Sequence, residues 1–234
     1  MSAPQRSLQS EKVAAFRALH AAGCFLIPNP WDIGSARILA GLKFKALAST
    51  SAGAAWALGL PDGSVSLDAM LAHLSDLAAA TDLPLNADFM NAYADDPDNV
   101  AANVARAVAT GVAGLSVEDS TGEPASLYEE PLATARIAAA RRAIDASGSG
   151  VLLTARCEAF LVGQRDLDLV IARLKAYAAA GADVLYAPGL PDLDAVRAVV
   201  QAAAPLPVMM ALTGRGAAAW TTALTASRSG RPGA

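Results

Sequence analysis

The sequence predicts an α/β fold, a single-domain (β/α)₈ barrel of the TIM type, from three observations. Apolar, strand-like runs alternate with amphipathic helical segments in units of about 30 residues, as in parallel strands joined by helical crossovers. The chain has 234 residues, 54% hydrophobic and 17% charged, a size at which α/β barrels form one domain. Three consecutive strand-like runs, LPLNAD (83–88), GLSVED (114–119) and VLLTAR (151–156), end in charged residues. Charges at the ends of apolar strands suit the rim where a parallel barrel assembles its active site.

Helix and strand boundaries follow from capping residues and periodicity. The first helix is expected over Ser10–Ala22, because Ser10 can cap its start and Gly23 can end it. Further helices are expected over 31–41, 67–80, 97–110, 132–146, 166–180 and 193–203. Strands are expected over 25–27, 46–50, 85–88, 115–118, 152–156, 184–187 and 207–210, and 51–53 is expected to be a loop of small residues.

The C-terminal end of the predicted barrel is the least regular part. A full barrel needs eight strands, and no eighth strand is recognisable after Met210. The barrel therefore either closes through an irregular segment or is incomplete at its C-terminus. A short helix is expected near 217–226, within one catalytic domain spanning 1–226, and the Gly/Pro/Ser/Arg-rich tail 227–234 is expected to be disordered.

Composition excludes several classes of partner. Lys+Arg total 18 against 22 Asp+Glu, giving a net charge of −4 with no basic run, which argues against nucleic-acid binding. No apolar stretch approaches the roughly 20 residues of a membrane span, and the N-terminus lacks a signal-peptide core. The two cysteines, Cys24 and Cys157, lack metal-binding spacing. Cys24 is expected in the core, and a reducing, cytoplasmic location is expected.

Two strand-end carboxylates and one arginine are the main candidates for chemistry. Asp88 and Glu118 from neighbouring strands would attract a divalent cation, and such hard oxygen ligands suit Mg²⁺. The alternative is helix capping or a structural ion pair. Arg156 can bind a carboxylate through two parallel hydrogen bonds, or it can bridge to Glu118 or Glu158 instead. Glu158 is expected to orient Arg156 rather than to act alone.

Two neighbouring segments are weaker candidates. The hydroxyls and backbone N–H groups of Ser49, Thr50 and Ser51 could hold a carboxylate or an enolate oxygen, although such a loop is also an ordinary turn. For Trp31, packing is the alternative to the pocket role that the resemblance described below implies. For Asp62, starting the turn at 61–63 is the alternative to the metal role that the same resemblance implies.

Five runs in order resemble the isocitrate lyase/phosphoenolpyruvate mutase superfamily, in its small mutase-like branch. They begin with NPWDIGSARILAGLKFKALASTSAGAAWALGLPDG and continue with NADFMNAYADDP, SVEDSTG, TARCEAF and GADVLYAPG. The resemblance extends from about Ala14 to Met210. Its specificity lies in the order and spacing of the runs rather than in one motif.

This resemblance implies a Mg²⁺-dependent enzyme, with Mn²⁺ as a substitute, that cleaves bonds beside a carboxylate through a metal-bound enolate. The substrate class it implies is a small α-keto or hydroxy dicarboxylic acid. It implies metal ligands at Asp88, Glu118, Asp62 and Asn86. It implies catalytic roles for Arg156, Glu118 and Asp88, and substrate contacts from Trp31, Ser49, Thr50, Ser51 and Arg156. It also implies a homo-oligomer.

The sequence departs from the family pattern at several positions. Asn86 stands where the family often has the first aspartate of a D-x-D pair, and Pro188 and Ala211 stand where it has glutamate and asparagine. The segment after Asp119 contains neither the lysine nor the cysteine of the lyases, and Glu123 and Tyr128 are the candidates there for proton transfer. Oxaloacetate decarboxylation is therefore favoured over cleavage of methylisocitrate with a thiol acid. A degenerate member that binds an acid without catalysis, and phosphonate P–C bond chemistry, remain the alternatives.

Overall fold

The computed structural model describes residues 3–122 and 126–211. Within these ranges six parallel strands form one sheet in chain order. The strands are β1 (Leu47–Ala48), β2 (Leu85–Asp88), β3 (Gly114–Glu118), β4 (Leu152–Arg156), β5 (Val184–Tyr186) and β6 (Val208–Met209). This arrangement confirms the α/β class and corresponds to part of a parallel barrel. The expected helix at 217–226, the tail 227–234 and any eighth strand beyond Ala211 lie outside the described residues.

Helices connect the strands, and side-chain caps fix several of their starts. They are α1 (Ala3–His20), α2 (Ile33–Gly41), α3 (Ser51–Ala57), α4 (Leu67–Ala80), α5 (Pro97–Val108), α6 (Glu130–Ser147), α7 (Leu167–Ala179) and α8 (Leu193–Ala203). Ser66, Asp96, Asp166 and Asp192 each accept a hydrogen bond from the first turn of the following helix. These are the residue types that start helices best, so the boundaries of α4 and α8 agree with the prediction.

Two predicted elements were wrong, and α1 begins at Ala3 rather than at the predicted cap Ser10. The segment 25–27 forms no strand, because the chain there leads into Pro28 and Pro30, which lack the N–H that a strand ladder needs. One backbone bond, from the Ala48 N–H to the Pro28 carbonyl at 3.0 Å, joins this segment to the sheet. The expected loop 51–53 is the start of α3, since the Thr50 side chain accepts from the Gly53 N–H and caps the helix.

The two faces of the sheet differ in polarity, and this difference positions the site. Leu115 and Val117 of β3 are fully buried, and Asp119 on the same face bonds to Tyr177 of α7. That face therefore packs against the helices. The opposite face carries buried polar residues, including Ser116 on β3 and Thr154 on β4. The sheet thus presents a polar interior that ends in the predicted charged residues.

Candidate active site

The strand register places Asp88, Glu118 and Arg156 on one face at the carboxyl ends of three adjacent strands. Glu118 pairs directly with Arg156 across β3 and β4, and Asp88 pairs with Ser116, two residues before Glu118. Because side chains alternate along a strand, residues two apart share a face. The three side chains predicted to meet at the rim therefore do meet.

Arg156 lies at the centre of this group. Its Nη1 is 3.2 Å from Asp88 Oδ1 and 3.7 Å from Glu118 Oε2, and its Nε donates to Glu158. The Arg156, Asp88 and Glu118 side chains are only 17%, 17% and 13% exposed. Burial alone would lower the pKa of Arg156, but Asp88, Glu158 and Glu118 more than offset this, and the pKa is raised. The bridge to Glu118 and the orienting contact from Glu158 are both present, and a substrate-binding arginine could make the same contacts.

Glu118 is the carboxyl group whose charge this arrangement disfavours most. Burial raises its pKa to about 8, and Glu158, Asp88 and Asp119 add to the increase while Arg156 opposes it. This shift favours the protonated form of Glu118 when no cation is bound. A single guanidinium among Asp88, Glu118 and Glu158 leaves an excess of acidic groups, which is the environment that attracts a cation.

The segment after β1 holds Asp88 in place. The Ser51 N–H and hydroxyl donate to Asp88 Oδ2 at 2.9 and 2.8 Å, and the Asp88 N–H donates to Ser49 Oγ at 2.8 Å. Thr50 caps α3. Trp31 is 51% exposed and packs beside Gly53, where an added Cβ would lie 3.0 Å from the Trp31 Cβ. This segment therefore binds a carboxylate in the structure, namely that of Asp88.

Asp62 and Asn86 differ in their surroundings. Asp62 is exposed in the loop between α3 and α4, next to Gly63 with its left-handed φ of 79°, so the turn expected there is present. Asn86 is 2% exposed and lies two residues before Asp88 on the same strand face. Its Oδ1 has no hydrogen-bond partner among the described residues and lies next to Gly114, where an added Cβ would be 2.6 Å from it. Neither residue contributes a close contact to Arg156, and their metal-binding roles stay predictions.

The donor set fits a hydrated Mg²⁺ better than an ion wrapped entirely by protein. Within 3–122 and 126–211, no group of three or more His, Cys, Asp or Glu side chains could hold a metal by itself. Asp88 and Glu118, however, approach the same nitrogen of Arg156. Mg²⁺ is commonly bound through one or two carboxylates and keeps several waters. Asp88 and Glu118 match that number of carboxylates.

Three residues of the site had not been singled out in the sequence. Tyr186 ends β5 and pairs with Arg156, and its ring centre is 5.2 Å from the guanidinium carbon. The rule that selected Asp88, Glu118 and Arg156, a functional side chain at the end of a strand, would also have found it. Tyr93 lies in the loop whose Met90 carbonyl accepts from the Glu118 N–H at 2.9 Å, and the buried Arg136 donates to two carbonyls of that loop.

A second buried cluster supports the rim from the helix side. Asp119 accepts from the Glu158 N–H at 2.8 Å, from the Tyr177 hydroxyl at 2.6 Å and from Arg173 at 3.2 Å. Burial raises the pKa of the neighbouring Cys157 thiol, and Asp119 raises it further. Cys157 therefore remains a protonated core thiol.

Comparison with known proteins identifies the family. The family model described as phosphoenolpyruvate phosphomutase matches residues 16–228. The chain belongs to this family. The resemblance to the isocitrate lyase/phosphoenolpyruvate mutase superfamily is thereby confirmed, and the superfamily comprises C–C lyases and mutases.

Three relatives of the phosphomutase family illustrate its range. A solved structure from Burkholderia cenocepacia J2315, provisionally described as a lyase/mutase, is 51% identical with a TM-score of 0.84, over 88% of this chain and 76% of that one. The oxaloacetate decarboxylase of Ectopseudomonas mendocina is 31% identical over 80% of this chain and 66% of its own length. The 2-methylisocitrate lyase of Escherichia coli K12 is 31% identical over 70% of this chain and 56% of its own length. The chain thus spans less than two thirds of both curated enzymes.

Membrane insertion has no structural support in the described ranges. None of the helices α1 to α8 combines the length and apolar character that crossing a bilayer requires.

Proposed function

We propose that this protein is a Mg²⁺-dependent carbon–carbon lyase with a (β/α)₈ barrel that acts on a small α-keto or hydroxy dicarboxylic acid. Oxaloacetate, decarboxylated to pyruvate, is the substrate we favour. The observation that carries the proposal is the buried Arg156 between Asp88 and Glu118 at the carboxyl end of the sheet. The oxaloacetate decarboxylase and methylisocitrate lyase among its relatives support the reaction class.

The residues of the rim suit the charge movement of decarboxylation. The bond between the leaving carboxylate and its neighbouring carbon breaks, the carboxylate departs as CO₂, and the electron pair moves toward the keto oxygen. A proton from solvent then adds to the carbon that lost CO₂ and completes pyruvate. When bound at Asp88 and Glu118, Mg²⁺ would supply positive charge facing the substrate oxygens. Arg156, held by Glu158, would bind the remaining carboxylate. Preorganised donors of this kind contribute about 3–4 kcal/mol each when they face developing negative charge.

The positions of the two cysteines disfavour a methylisocitrate lyase reaction. That reaction, as the family resemblance implies it, needs a cysteine acid in the segment after Asp119, and this segment contains none. Cys157 does not replace it, because its thiol is buried beside Asp119 with a raised pKa. Oxaloacetate decarboxylation has no such requirement.

Pyruvate formation from oxaloacetate tests the proposal directly. Turnover is measured with Mg²⁺ and with Mn²⁺, and the decarboxylation by metal alone is subtracted. Asp88→Ala and Arg156→Met should abolish the enzymatic rate, whereas Arg197→Met, which removes an exposed arginine paired with Asp194, should leave it unchanged. Absence of turnover, together with no change in melting temperature on adding Mg²⁺ and oxalate, would refute the function.

Binding without catalysis is the second candidate, favoured by the neutral amide of Asn86 below Asp88. An amide oxygen attracts Mg²⁺ less than a carboxylate does. This candidate predicts that Mg²⁺ and oxalate raise the melting temperature while neither oxaloacetate nor phosphonopyruvate is consumed. Turnover of phosphonopyruvate alone would instead indicate P–C bond chemistry.

We also infer a homo-oligomer in the cytoplasm. Four large apolar side chains are exposed on and just after α2 and α3, namely Ile38, Leu42, Trp56 and Leu58. Exposed apolar patches commonly mark protein–protein contacts. Cys24 and Cys157 are both free, which suits a reducing compartment. Light scattering should give a mass of at least two chains, and Trp56→Glu with Ile38→Glu should reduce it.

A further inference from the structure

The Tyr93 hydroxyl is buried and has no hydrogen-bond partner among the described residues. Two other buried tyrosines differ in this respect. The Tyr128 hydroxyl donates to Asp95 at 2.5 Å, and the Tyr177 hydroxyl donates to Asp119 at 2.6 Å. A buried phenol without a partner is costly, so its presence beside a candidate site points to a partner that arrives with the ligand.

The surroundings of Tyr93 keep its hydroxyl protonated. Burial raises its pKa first, and the carboxyl groups of Asp88, Asp62 and Glu118 raise it further. The loop that carries Tyr93 lies directly beside β3, because its Met90 carbonyl accepts a hydrogen bond from the Glu118 N–H at 2.9 Å. A neutral phenol in this position is a hydrogen-bond donor.

The backbone that carries Tyr93 adopts an unfavourable conformation. Met90, Ala92 and Tyr93 all have left-handed φ values, of 50°, 58° and 55°. Residues other than glycine rarely adopt such values. Such conformations persist where surrounding contacts enforce them, and they cluster at ligand-binding sites.

Two side chains, the buried Arg136 and the half-buried Asn103, enforce this conformation. Arg136 donates to the carbonyls of Asn91 and Ala94 within the loop and to the Glu118 carbonyl at 3.1 Å on β3. Asn103 of α5 donates to the Ala92 carbonyl at 2.9 Å. Tyr93 also packs its ring on Phe89, with centroids 5.4 Å apart. The hydroxyl is thus held rigidly relative to β2 and β3.

We propose that Tyr93 is a substrate-binding residue whose hydroxyl donates a hydrogen bond to an oxygen of the bound α-keto or hydroxy acid. The proposal rests on the function proposed above, since it assumes that the acid binds at the charged rim. A fixed neutral donor adds specificity for an oxygen at one position, because an analogue lacking that oxygen would leave the phenol unpaired.

Tyr93→Phe and Tyr177→Phe form a matched pair for the test. Tyr177→Phe removes a hydroxyl with internal partners and should lower the melting temperature of the metal-free protein. Tyr93→Phe removes a hydroxyl with no internal partner and should leave the melting temperature unchanged or raise it. In the presence of Mg²⁺, Tyr93→Phe should weaken oxalate binding about 10-fold in calorimetry, and it should lower kcat/KM for oxaloacetate by at least the same factor.

The possible failures are distinguishable. Oxalate affinity and kcat/KM that are equal in Tyr93→Phe and wild type would overturn the role of Tyr93 and leave the proposed function intact. A melting temperature that falls as far in Tyr93→Phe as in Tyr177→Phe would show an internal partner for the hydroxyl and would also overturn it. Wild-type protein that binds no oxalate with Mg²⁺ would overturn the function and this role together.

Discussion

The raised pKa of Glu118 makes stability depend on pH in a direction unusual for a carboxyl group. Its ordinary pKa is 4.5 and the folded value is about 8. Between these values the folded chain keeps a proton that the unfolded chain has lost, so the free energy of unfolding falls as pH rises. The slope for one proton is about 1.4 kcal/mol per pH unit. Glu118→Gln carries a neutral group at every pH and should lack this slope.

The expected effect is large enough to measure. From pH 5.5 to pH 7.5 the wild type should lose about 2–3 kcal/mol relative to Glu118→Gln. In a domain of this size 1 kcal/mol corresponds to about 2–4 °C in melting temperature. The difference between the two melting temperatures should therefore change by about 5–10 °C in favour of the variant. Saturating Mg²⁺ should reverse much of this change in the wild type, because a bound cation favours the ionised carboxylate.

Thermal melts in EDTA at several pH values provide the assay. Other titrating groups, including His20 and His73, contribute equally to both proteins and cancel in the difference. Asp68→Asn, which neutralises an exposed carboxylate of α4, serves as the control. Its melting temperature should depend on pH in the same way as that of the wild type. If the melting temperature of Glu118→Gln changes with pH as that of the wild type does, the reasoning is refuted. Glu118 would then have the same charge in the folded and unfolded chains.

Two further substitutions and one labelling experiment follow from the structure. Asn86→Asp should lower the melting temperature without metal, by adding a buried charge near Asp88, and should increase the stabilisation by Mg²⁺; equal Mg²⁺ shifts in variant and wild type would place Asn86 outside the metal site. Asp119→Asn should cost about 3–5 kcal/mol in urea unfolding, because it leaves the buried Arg173 without its charged partner; a loss below about 1 kcal/mol would contradict this. A thiol reagent at pH 8 should modify exposed Cys24 in the native protein and reach buried Cys157 only after denaturation; modification of both thiols at similar rates would contradict the burial.

Much of the fold is predictable from local patterns in the sequence. Residues 85–88 and 152–156 are apolar runs that end in a charge, and both form strands with the expected boundaries. Capping by Ser66 and Asp192 similarly defines α4 and α8. These features depend on residues close together in the chain, so the sequence alone contains the necessary information.

The errors arise where a short pattern depends on distant contacts. The apolar run 25–27 lacks enough backbone bonds to form a strand, and Cys24 beside it is exposed rather than in the core as expected. The conformation of Tyr93 is also unpredictable locally, because left-handed φ values usually require glycine. It depends on Arg136, which lies 43 positions further along the chain and has no distinguishing motif.

The arrangement of the site residues was predictable only in part. That Asp88, Glu118 and Arg156 share a rim follows from parallel pairing, which the sequence predicts. That Ser49 and Ser51 bind Asp88 depends on how closely β1 approaches β2 and on the start of α3, which the sequence pattern did not reveal. Their roles toward metal and substrate remain predictions for the experiments above.

The position of Asp119 directly after Glu118 links a helix on the outside of the fold to the chemistry inside it. At the end of β3, the Glu118 side chain points to the polar interior. The Asp119 side chain points the other way and accepts hydrogen bonds from Arg173 and Tyr177 of α7. The same carboxylate also fixes the backbone of Glu158, the partner of Arg156. Substitutions in α7 that remove these contacts would therefore reduce the support of Glu118 and Arg156 without altering either residue. Such a variant would keep the fold and lose the activity proposed above.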